Sequence, residues 1–292
     1  MIKRKPSEIV FDTCNGILMV IVIIVSIYPL WYVTIASFSS ASAVSSGKVL
    51  LVPVEFSLDA FKQMWSYDDY AIWRSYGNTI LYSVGGTALS MVLTILGAYP
   101  LSKKYLKGKK FLTWLILVTM WFGPGMMPSY INLRNLHLLD SRIAIFLIGC
   151  ISTFNVVLMR TFFESIPDSL EESAKLDGAS HFRIMRDIFI PLSVPAIMTI
   201  SLYYFVGRWN SYFWAMLLLK DKAKIPLQVV LKKLVVEMNA NNSQAGMIDY
   251  TTTSRETMIY ATMVIAVMPM IILYPFIQKY FVKGIMVGAI KG

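Results

Sequence analysis

Two stretches of this 292-residue chain hold side chains that could do chemistry, and both are polar intrusions into a largely apolar sequence. The first is Pro167–Pro191, where Glu171, Glu172, Ser173, Ala174, Asp177 and Gly178 fall close together and Pro191 closes the run. Asp168 is placed to cap a helix, with Glu171 three residues on to complete a capping box. Gly178 then ends that helix in the left-handed conformation that glycine adopts without penalty. Ser180 caps a second helix on which Ile184 and Ile188 recur at helical spacing. Charges beside small residues on a helix–turn–helix are docking chemistry, and an ordinary amphipathic loop helix is the plainer alternative. The second stretch sets Tyr203, Tyr204, Trp209, Asn210, Tyr212 and Trp214 around Arg208. Flat apolar rings interleaved with amide groups suit a sugar. An arginine inside an apolar segment is costly unless it faces water or a partner, and a substrate carboxylate would satisfy it through a bidentate pair. The alternative is an interfacial aromatic belt with Arg208 snorkelling. Asn78 and Asn155 are further polar residues in apolar segments, and each either lines a pathway or bonds a neighbouring helix.

Bond-making chemistry finds little support. No Gly-x-x-x-x-Gly-Lys-Ser/Thr loop is present to cradle phosphates, and Gly123-Pro124-Gly125 reads as a helix break. The histidines, His137 and His181, are far apart and lack cysteine or carboxylate partners at ligand spacing. No nucleophile elbow is recognisable. The expectation is a non-enzymatic chain with no cofactor or metal of its own, driven by energy from another chain.

The elements that must position these residues are read from hydropathy. Hydrophobic residues make up 56% of the chain and charged ones 15%, well below the roughly 25% charged content of soluble domains. Six segments are long enough to cross a bilayer, near Gly16–Phe38, Tyr76–Leu101, Phe111–Tyr130, Arg142–Phe163, Leu192–Leu219 and Thr257–Phe281. The first follows Lys3, Arg4 and Lys5, as in a signal peptide, yet it is too long for such a core and lacks a clear small-residue cleavage site. It is read as a retained helix. The tight basic hairpin Lys103–Lys110 decides the orientation, because short loops follow the positive-inside rule best. Both termini and Pro167–Pro191 are thereby expected in the cytoplasm. The net charge of +10 is scattered between spans, so membrane topology explains it better than nucleic acid does. Cys14 and Cys150 lie in apolar stretches and outline no disulfide framework.

Outside the spans, Leu227–Met238 reads as an amphipathic helix lying on the outer membrane surface or under a partner. The polar run Asn239–Gln244 reads as a mobile loop, and a shorter helix is expected around Leu58–Trp65. Pro269 and Pro275 suggest kinks in the last span.

The spacing within Pro167–Pro191 also resembles the motif of the membrane subunits of ATP-binding-cassette importers: Glu-Ala-Ala, three residues, Gly, nine residues, Ile, one residue, Leu-Pro. Here it stands as Glu172-Ser173-Ala174, Gly178, Ile188 and Ile190-Pro191, with Ser173 and Ile190 as departures. Further stretches resemble the carbohydrate branch of this family, the binding-protein-dependent inner-membrane components: Asn78-Thr79, Gly97-Ala98-Tyr99, Trp209-Asn210, Pro226-Leu227-Gln228, and the ending Tyr274–Gly284 with Gly288–Gly292. The ending is similar to permeases associated with complex or acidic oligosaccharides. The resemblance implies an all-α membrane protein of six transmembrane helices, with a cytoplasmic coupling helix between the fourth and fifth spans. Residues 1–15 would form a cytoplasmic N-terminus, 16–281 the permease domain with its coupling loop at 164–191, and 282–292 a cytoplasmic tail whose Gly288–Gly292 end would reach toward the ATPases. It implies a bacterial inner-membrane, multi-pass location. The implied partners are a second homologous permease (a heterodimer), two ATPase subunits that bind ATP and Mg, an extracytoplasmic solute-binding protein and the lipid bilayer. Glu172 would be the charged contact to the ATPase, Ala174 the close-approach residue and Gly178 the fixed turn. Three rival readings stand beside it: an importer of another solute class, a stand-alone secondary transporter, and a membrane enzyme.

Overall fold

The computed structural model describes residues 6–66, 72–242 and 250–289. Every regular element among them is helical, which agrees with the expected all-α class. The helices are α1 (Pro6–Ser37), α2 (Ala41–Ser45), α3 (Asp59–Ser66), α4 (Ile72–Ser102), α5 (Lys109–Trp121), α6 (Met126–Asn135), α7 (Arg142–Leu147) and α8 (Thr153–Glu164). They continue as α9 (Asp168–Leu176), α10 (His181–Ile184), α11 (Ile190–Leu192), α12 (Val194–Trp209), α13 (Phe213–Leu218), α14 (Leu227–Asn242) and α15 (Tyr250–Ala289). A π-helical turn over Met185–Phe189 joins α10 to α11.

The chain divides into two compact units. The first comprises residues 1–72 and 231–268. Its leading helix, α1, exposes apolar side chains along most of its length, from Ile9 to Trp31, as a helix surrounded by hydrocarbon would. Only its last turns pack: Ile35 and Ala36 form a small core with Ala43, Val44 and Val49. Tyr32 meets Tyr260 edge-on at 6.0 Å, and the Trp31 indole donates to the Leu51 carbonyl at 2.9 Å. Ser40 caps α2 by accepting from the Ala43 amide. α3 lies where a helix around Leu58–Trp65 was expected.

The second unit, residues 73–230 and 269–292, holds both candidate sites. Its main core draws Ala98 and Tyr99 from α4, Val156, Met159 and Phe163 from α8, Ile184 and Phe189 after the glycine turn, and Ala196, Ile200 and Tyr204 from α12. Near its start, α4 staples the 223–227 segment. The Asn78 amide donates to the Ala223 and Ile225 carbonyls. The Tyr82 hydroxyl donates to the Lys224 carbonyl at 2.8 Å. The Thr79 hydroxyl accepts from the Leu227 amide at 2.8 Å, which caps α14 from outside its own chain segment.

Three helices are long and apolar enough to cross a membrane by length and composition: Ser7–Ser37, Ile72–Ser102 and Glu256–Pro275. Two further pairs pass the same test together but bend, α5 with α6 by 111° and His181–Leu192 with α12 by 83°. The expected third segment thus breaks at Pro124 and at Gly125, whose φ is 80°. The expected fourth segment, Arg142–Phe163, is also interrupted. Gly149 takes a φ of 62° after α7, and Ser152 starts α8 by accepting from the Asn155 amide. By this measure the described residues hold three to five spans.

Other expectations change in detail. Asp168 does not cap α9: Pro167 takes the N-cap position without a side-chain bond, Asp168 pairs outward with Lys104, and Glu171 is drawn away from any capping box by two lysines. Ser180 does cap the following helix, accepting from the Arg183 amide. α14 extends to Asn242, so Asn239–Asn242 is helix where a loop was expected, and Ser243 and Gln244 lie outside the described residues. Leu227, Val229 and Val230 of α14 are fully buried in protein, which a helix resting only on a membrane surface would not achieve. α15 runs uninterrupted past residue 281 to Ala289 with Pro269 and Pro275 inside it. Lys3, Arg4, Lys5 and the Ile290–Gly292 end of the tail lie outside the described residues.

Thr79 is 2% exposed, so replacing its hydroxyl by a methyl group leaves the Leu227 amide buried without an acceptor. Thr79→Val is expected to destabilise the detergent-solubilised protein by about 2 kcal/mol, read as a lowered midpoint of thermal unfolding. An unchanged midpoint would remove Thr79 as the cap of α14.

Candidate functional site

Just past the end of α4, Lys103 folds back into the core with 6% of its surface exposed. Its Nζ lies 2.6 Å from Oε2 of Glu171 on α9. The same ammonium sits 3.5 Å from the centre of the Phe189 ring and 4.1 Å from that of Tyr99. One cation is therefore held between two aromatic faces and a carboxylate. Glu171 is in turn fully engaged: Oε1 accepts from the Tyr105 hydroxyl at 2.9 Å and pairs with Lys175 at 2.8 Å. Burial raises its carboxyl pKa, but the hydrogen bonds from Lys103, Lys175 and Tyr105 outweigh this and hold it at about 2. Burial also pushes the Tyr105 hydroxyl up to about 12, helped by its bond to Glu171. Burial lowers Lys103, against the bond to Glu171 that raises it.

Around this centre the 103–109 hairpin grips the 160–171 segment at two more points. Lys104 pairs with Asp168 at 2.6 Å with both side chains exposed, a contact of little energetic weight. Lys109 and Arg160 both hold Glu164, at 2.8 and 2.9 Å. Arg160 also donates to Thr113 of α5 at 3.0 Å.

α9 ends in a tight reverse turn. Gly178 has a φ of 74°, and the amides of Gly178 and Ala179 donate to the carbonyls of Lys175 and Ala174. That double bond pattern is a Schellman motif, and it needs a residue free of Cβ strain. The outer face of α9 is left bare: Glu172, Ser173 and Asp177 are exposed, and Leu176 is 90% exposed. Phe182, after the turn, is also exposed. Ala174, expected as the close-approach residue, is half-buried and packs in part against the chain's own core. Pro191 lies in the short helix before the 83° bend.

The second arrangement is a cavity of about 590 Å³, within the ~300–1,000 Å³ range of ligand pockets. Six of the expected residues line it: Asn155, Tyr203, Tyr204, Arg208, Trp209 and Trp214. Trp209 is buried, stacked on Phe205 and met edge-on by Tyr76. Tyr203 and Phe154 lie 6.5 Å apart at the cavity, and Trp214 offers a further ring. Asn155 is 5% exposed, and its side-chain amide has no hydrogen-bond partner among the described residues. Three expected residues are not in the lining. Asn78 is a crosslink to 223–225 and accepts from Arg142 at 3.3 Å, while Asn210 caps the end of α12 and Tyr212 precedes α13. Ser152, Gly149 and Phe154 were missed by sequence reasoning, although a glycine followed by Ser-Thr is a recognisable stop-and-start signal.

A family model described as "Binding-protein-dependent transport system inner membrane component" matches residues 7–287. The chain is 41% identical over 272 residues to the polygalacturonan/rhamnogalacturonan transport system permease protein YtcP of Bacillus subtilis (strain 168), covering 92% of this chain and 94% of that one. It is 36% identical over 283 residues to protein LplC of the same organism, covering 97% and 95%. It also matches a chain in the crystal structure of a bacterial ABC transporter involved in the import of the acidic polysaccharide alginate, with 41% identity and a TM-score of 0.88 over 96% of this chain and 100% of the other.

The depressed carboxyl of Glu171 stabilises the fold fully above its usual pKa of 4.5, and the contribution is lost as pH falls toward about 2. Thermal unfolding of the wild type should therefore exceed that of Glu171→Gln by a margin that is constant at neutral pH and shrinks steadily below 4.5. Lys103→Met, which strands part of the carboxylate's charge, should cost about 3 kcal/mol at neutral pH. A margin that does not change with pH would show that the pair contributes nothing through ionisation.

Proposed function

This chain belongs to the binding-protein-dependent transport system inner membrane component family, and on that premise we propose that it is the permease subunit of an ATP-driven importer for acidic oligosaccharides. The observation that carries this reading is the joining of a bare docking helix to a membrane-length helix through a buried ion pair. α9 offers Glu172, Ser173, Asp177 and Leu176 to a partner on one side and is fixed to the end of α4 by Glu171 and Lys103 on the other. In this role α9 is the coupling helix, seated in an ATPase subunit and turned sharply by Gly178. Closure of two ATPase subunits on ATP and Mg then moves α9, and the Lys103 and Glu164 contacts carry the movement into α4, α5 and α8. No covalent chemistry occurs in this chain.

Counting each bent or broken helix pair as one crossing, α1, α4, α5–α6, α7–α8, the 181–209 segment and α15 make six spans. The basic 103–110 hairpin supports a cytoplasmic position for α9 and for both termini in a bacterial inner membrane. The cavity then belongs to the translocation pathway, with Tyr203, Phe154 and Trp214 offering faces for sugar C–H surfaces and Asn155 offering its amide to a hydroxyl. Polygalacturonan/rhamnogalacturonan is the cargo named for the similar permease and the acidic polysaccharide alginate that named for the similar transporter, which supports an acidic sugar. The family description supports an extracytoplasmic binding protein as the donor. A second homologous permease completes the pathway.

The test is reconstitution of the complex in proteoliposomes with trigalacturonate-loaded binding protein. Glu172→Lys reverses the charge on the bare face, and Gly178→Pro forbids the positive φ of the turn. Both variants are expected to insert into the bilayer and to lose at least roughly tenfold of the substrate-stimulated ATP hydrolysis, as loss of about 1.4 kcal/mol of coupling would dictate. Full stimulation in both would sink the coupling assignment.

A further inference from the structure

We propose that Tyr204 and Arg208 are positioning residues: together they hold open the break between α7 and α8 and so set the shape of the cavity wall. The break itself poses the problem. Residues 148–152 are non-helical inside a segment long and apolar enough to have been read as a span. Backbone groups freed there must find partners within the protein. The last carbonyls of α7 and the first amides of α8 are such groups.

α12 supplies partners to both ends from a single face. Arg208 donates through Nη1 to the Ile145 carbonyl at 3.1 Å and through Nη2 to the Phe146 carbonyl at 3.1 Å. One turn earlier, the Tyr204 hydroxyl accepts from the Ser152 amide at 3.0 Å and shares a 2.8 Å hydrogen bond with Thr94 of α4. Residues four apart on a helix lie one above the other, so the arginine takes the C-terminal end of α7 and the tyrosine the N-terminal end of α8. A cation at a helix C-terminus is also favoured by the helix dipole.

The sequence of α4 makes room for this arrangement. A Cβ on Gly86 would lie 2.6 Å from Cζ and Nη1 of Arg208, and one on Gly85 would lie 3.0 Å from the Phe146 ring. Ser90, one turn on from Gly86, accepts from Nη2 at 3.0 Å. The guanidinium therefore occupies a fitted slot. Both Nη groups already donate, and Nε is enclosed without a partner among the described residues. End-on pairing with a substrate carboxylate would have to break these bonds. Arg208 thus acts on the sugar through the wall it holds, a role that gains its transport meaning from the cavity reading proposed above.

The break carries its own reporter. Cys150 lies within it and is half-buried, and Cys14→Ser leaves it as the one cysteine, since the sequence has two. The experiment measures the maleimide labelling rate of Cys150 in the full transporter in membrane vesicles, alongside uptake of trigalacturonate. Arg208→Gln frees two carbonyls and is expected to speed labelling roughly tenfold. Arg208→Lys should restore part of the protection, because an ammonium reaches one helix end but lacks the planar fork. Gly86→Ala, which displaces the guanidinium without removing it, should also speed labelling, as should Tyr204→Phe. Where Arg208→Gln fails to insert, Arg208→Lys and Gly86→Ala carry the test. A cysteine introduced at Ser165, beyond the other end of α8, should label at an unchanged rate in every variant, which separates local release from general loosening. Wild-type labelling of Cys150 in Arg208→Gln and Gly86→Ala, with uptake lost, would overturn the positioning role and make Arg208 a substrate contact. Faster labelling combined with uptake that Asn155→Ala leaves untouched would support the positioning role and overturn the cavity as the sugar's position.

Discussion

The second unit depends on one constraint, the burial of the Lys103 ammonium between two aromatic rings and the Glu171 carboxylate. Taking two charges out of water costs several kcal/mol each, and their attraction offsets this only when the remaining donors and acceptors are satisfied. Here they are. Glu171 meets Lys103, Lys175 and Tyr105, and Lys103 presents its remaining surface to the Phe189 and Tyr99 rings, whose faces attract a cation. A pair of this kind contributes little net stability compared with an apolar substitute, but it is intolerant of misplacement. If α9 slides relative to α4, a carboxylate and an ammonium are left buried and unpaired. The pair therefore fixes the register of α9 against α4 in a way that greasy packing, which tolerates small shifts, does not.

A second constraint is set by interrupted helices. Each place where a span is bent or broken releases backbone groups, and the structure meets that demand differently each time. At the 83° bend the Ser193 amide turns back to the carbonyls of Phe189 and Ile190. At the α7–α8 break the partners come from α12 instead. Outside the spans, the start of α14 likewise takes an acceptor from Thr79 of α4. The bend closes on local residues, whereas the break at the cavity takes both a donor, Arg208, and an acceptor, Tyr204, from another helix. This is why the cavity is walled by non-helical backbone and by side chains, such as Tyr204 and Arg208, that are already committed to that backbone.

The difference explains what was legible in the sequence. Gly178, Ser180 and the short helix α3 were recoverable because a left-handed glycine, a serine cap and a local apolar stripe act within four residues of themselves. The family spacing through Glu172, Gly178 and Ile188 was likewise local. The partner of Glu171 was not, since Lys103 lies 68 positions away, and hydropathy assigned that lysine only to a topology-setting loop. The carboxylate taken for half of a capping box is instead the centre of the buried network. Arg208 and Asn78 were flagged by their cost in an apolar segment, which marks a residue as needing partners without saying whether they are protein or ligand. Their partners, the carbonyls of Ile145 and Phe146 and the 223–225 segment, exist only once helices have broken where periodicity gave no warning. Asn155 is the converse case, a polar residue that lines the cavity.

α8 connects the two constraints. Its first turn carries Ser152 and Asn155 at the cavity and is held by Tyr204. Its last turn carries Arg160 and Glu164, held by Lys109 and Thr113. Between them Val156, Met159 and Phe163 are buried against α4 and the segment after Gly178. A helix of twelve residues pinned at both ends moves as a rod and does not bend to absorb a shift at one end, because its interior is close-packed. Displacement at the charged end must therefore appear at the cavity end, as rotation or translation of the wall that includes Asn155. The Tyr204 hydroxyl, shared between the start of α8 and Thr94 of α4, ties that cavity end to α4 as well as to α12.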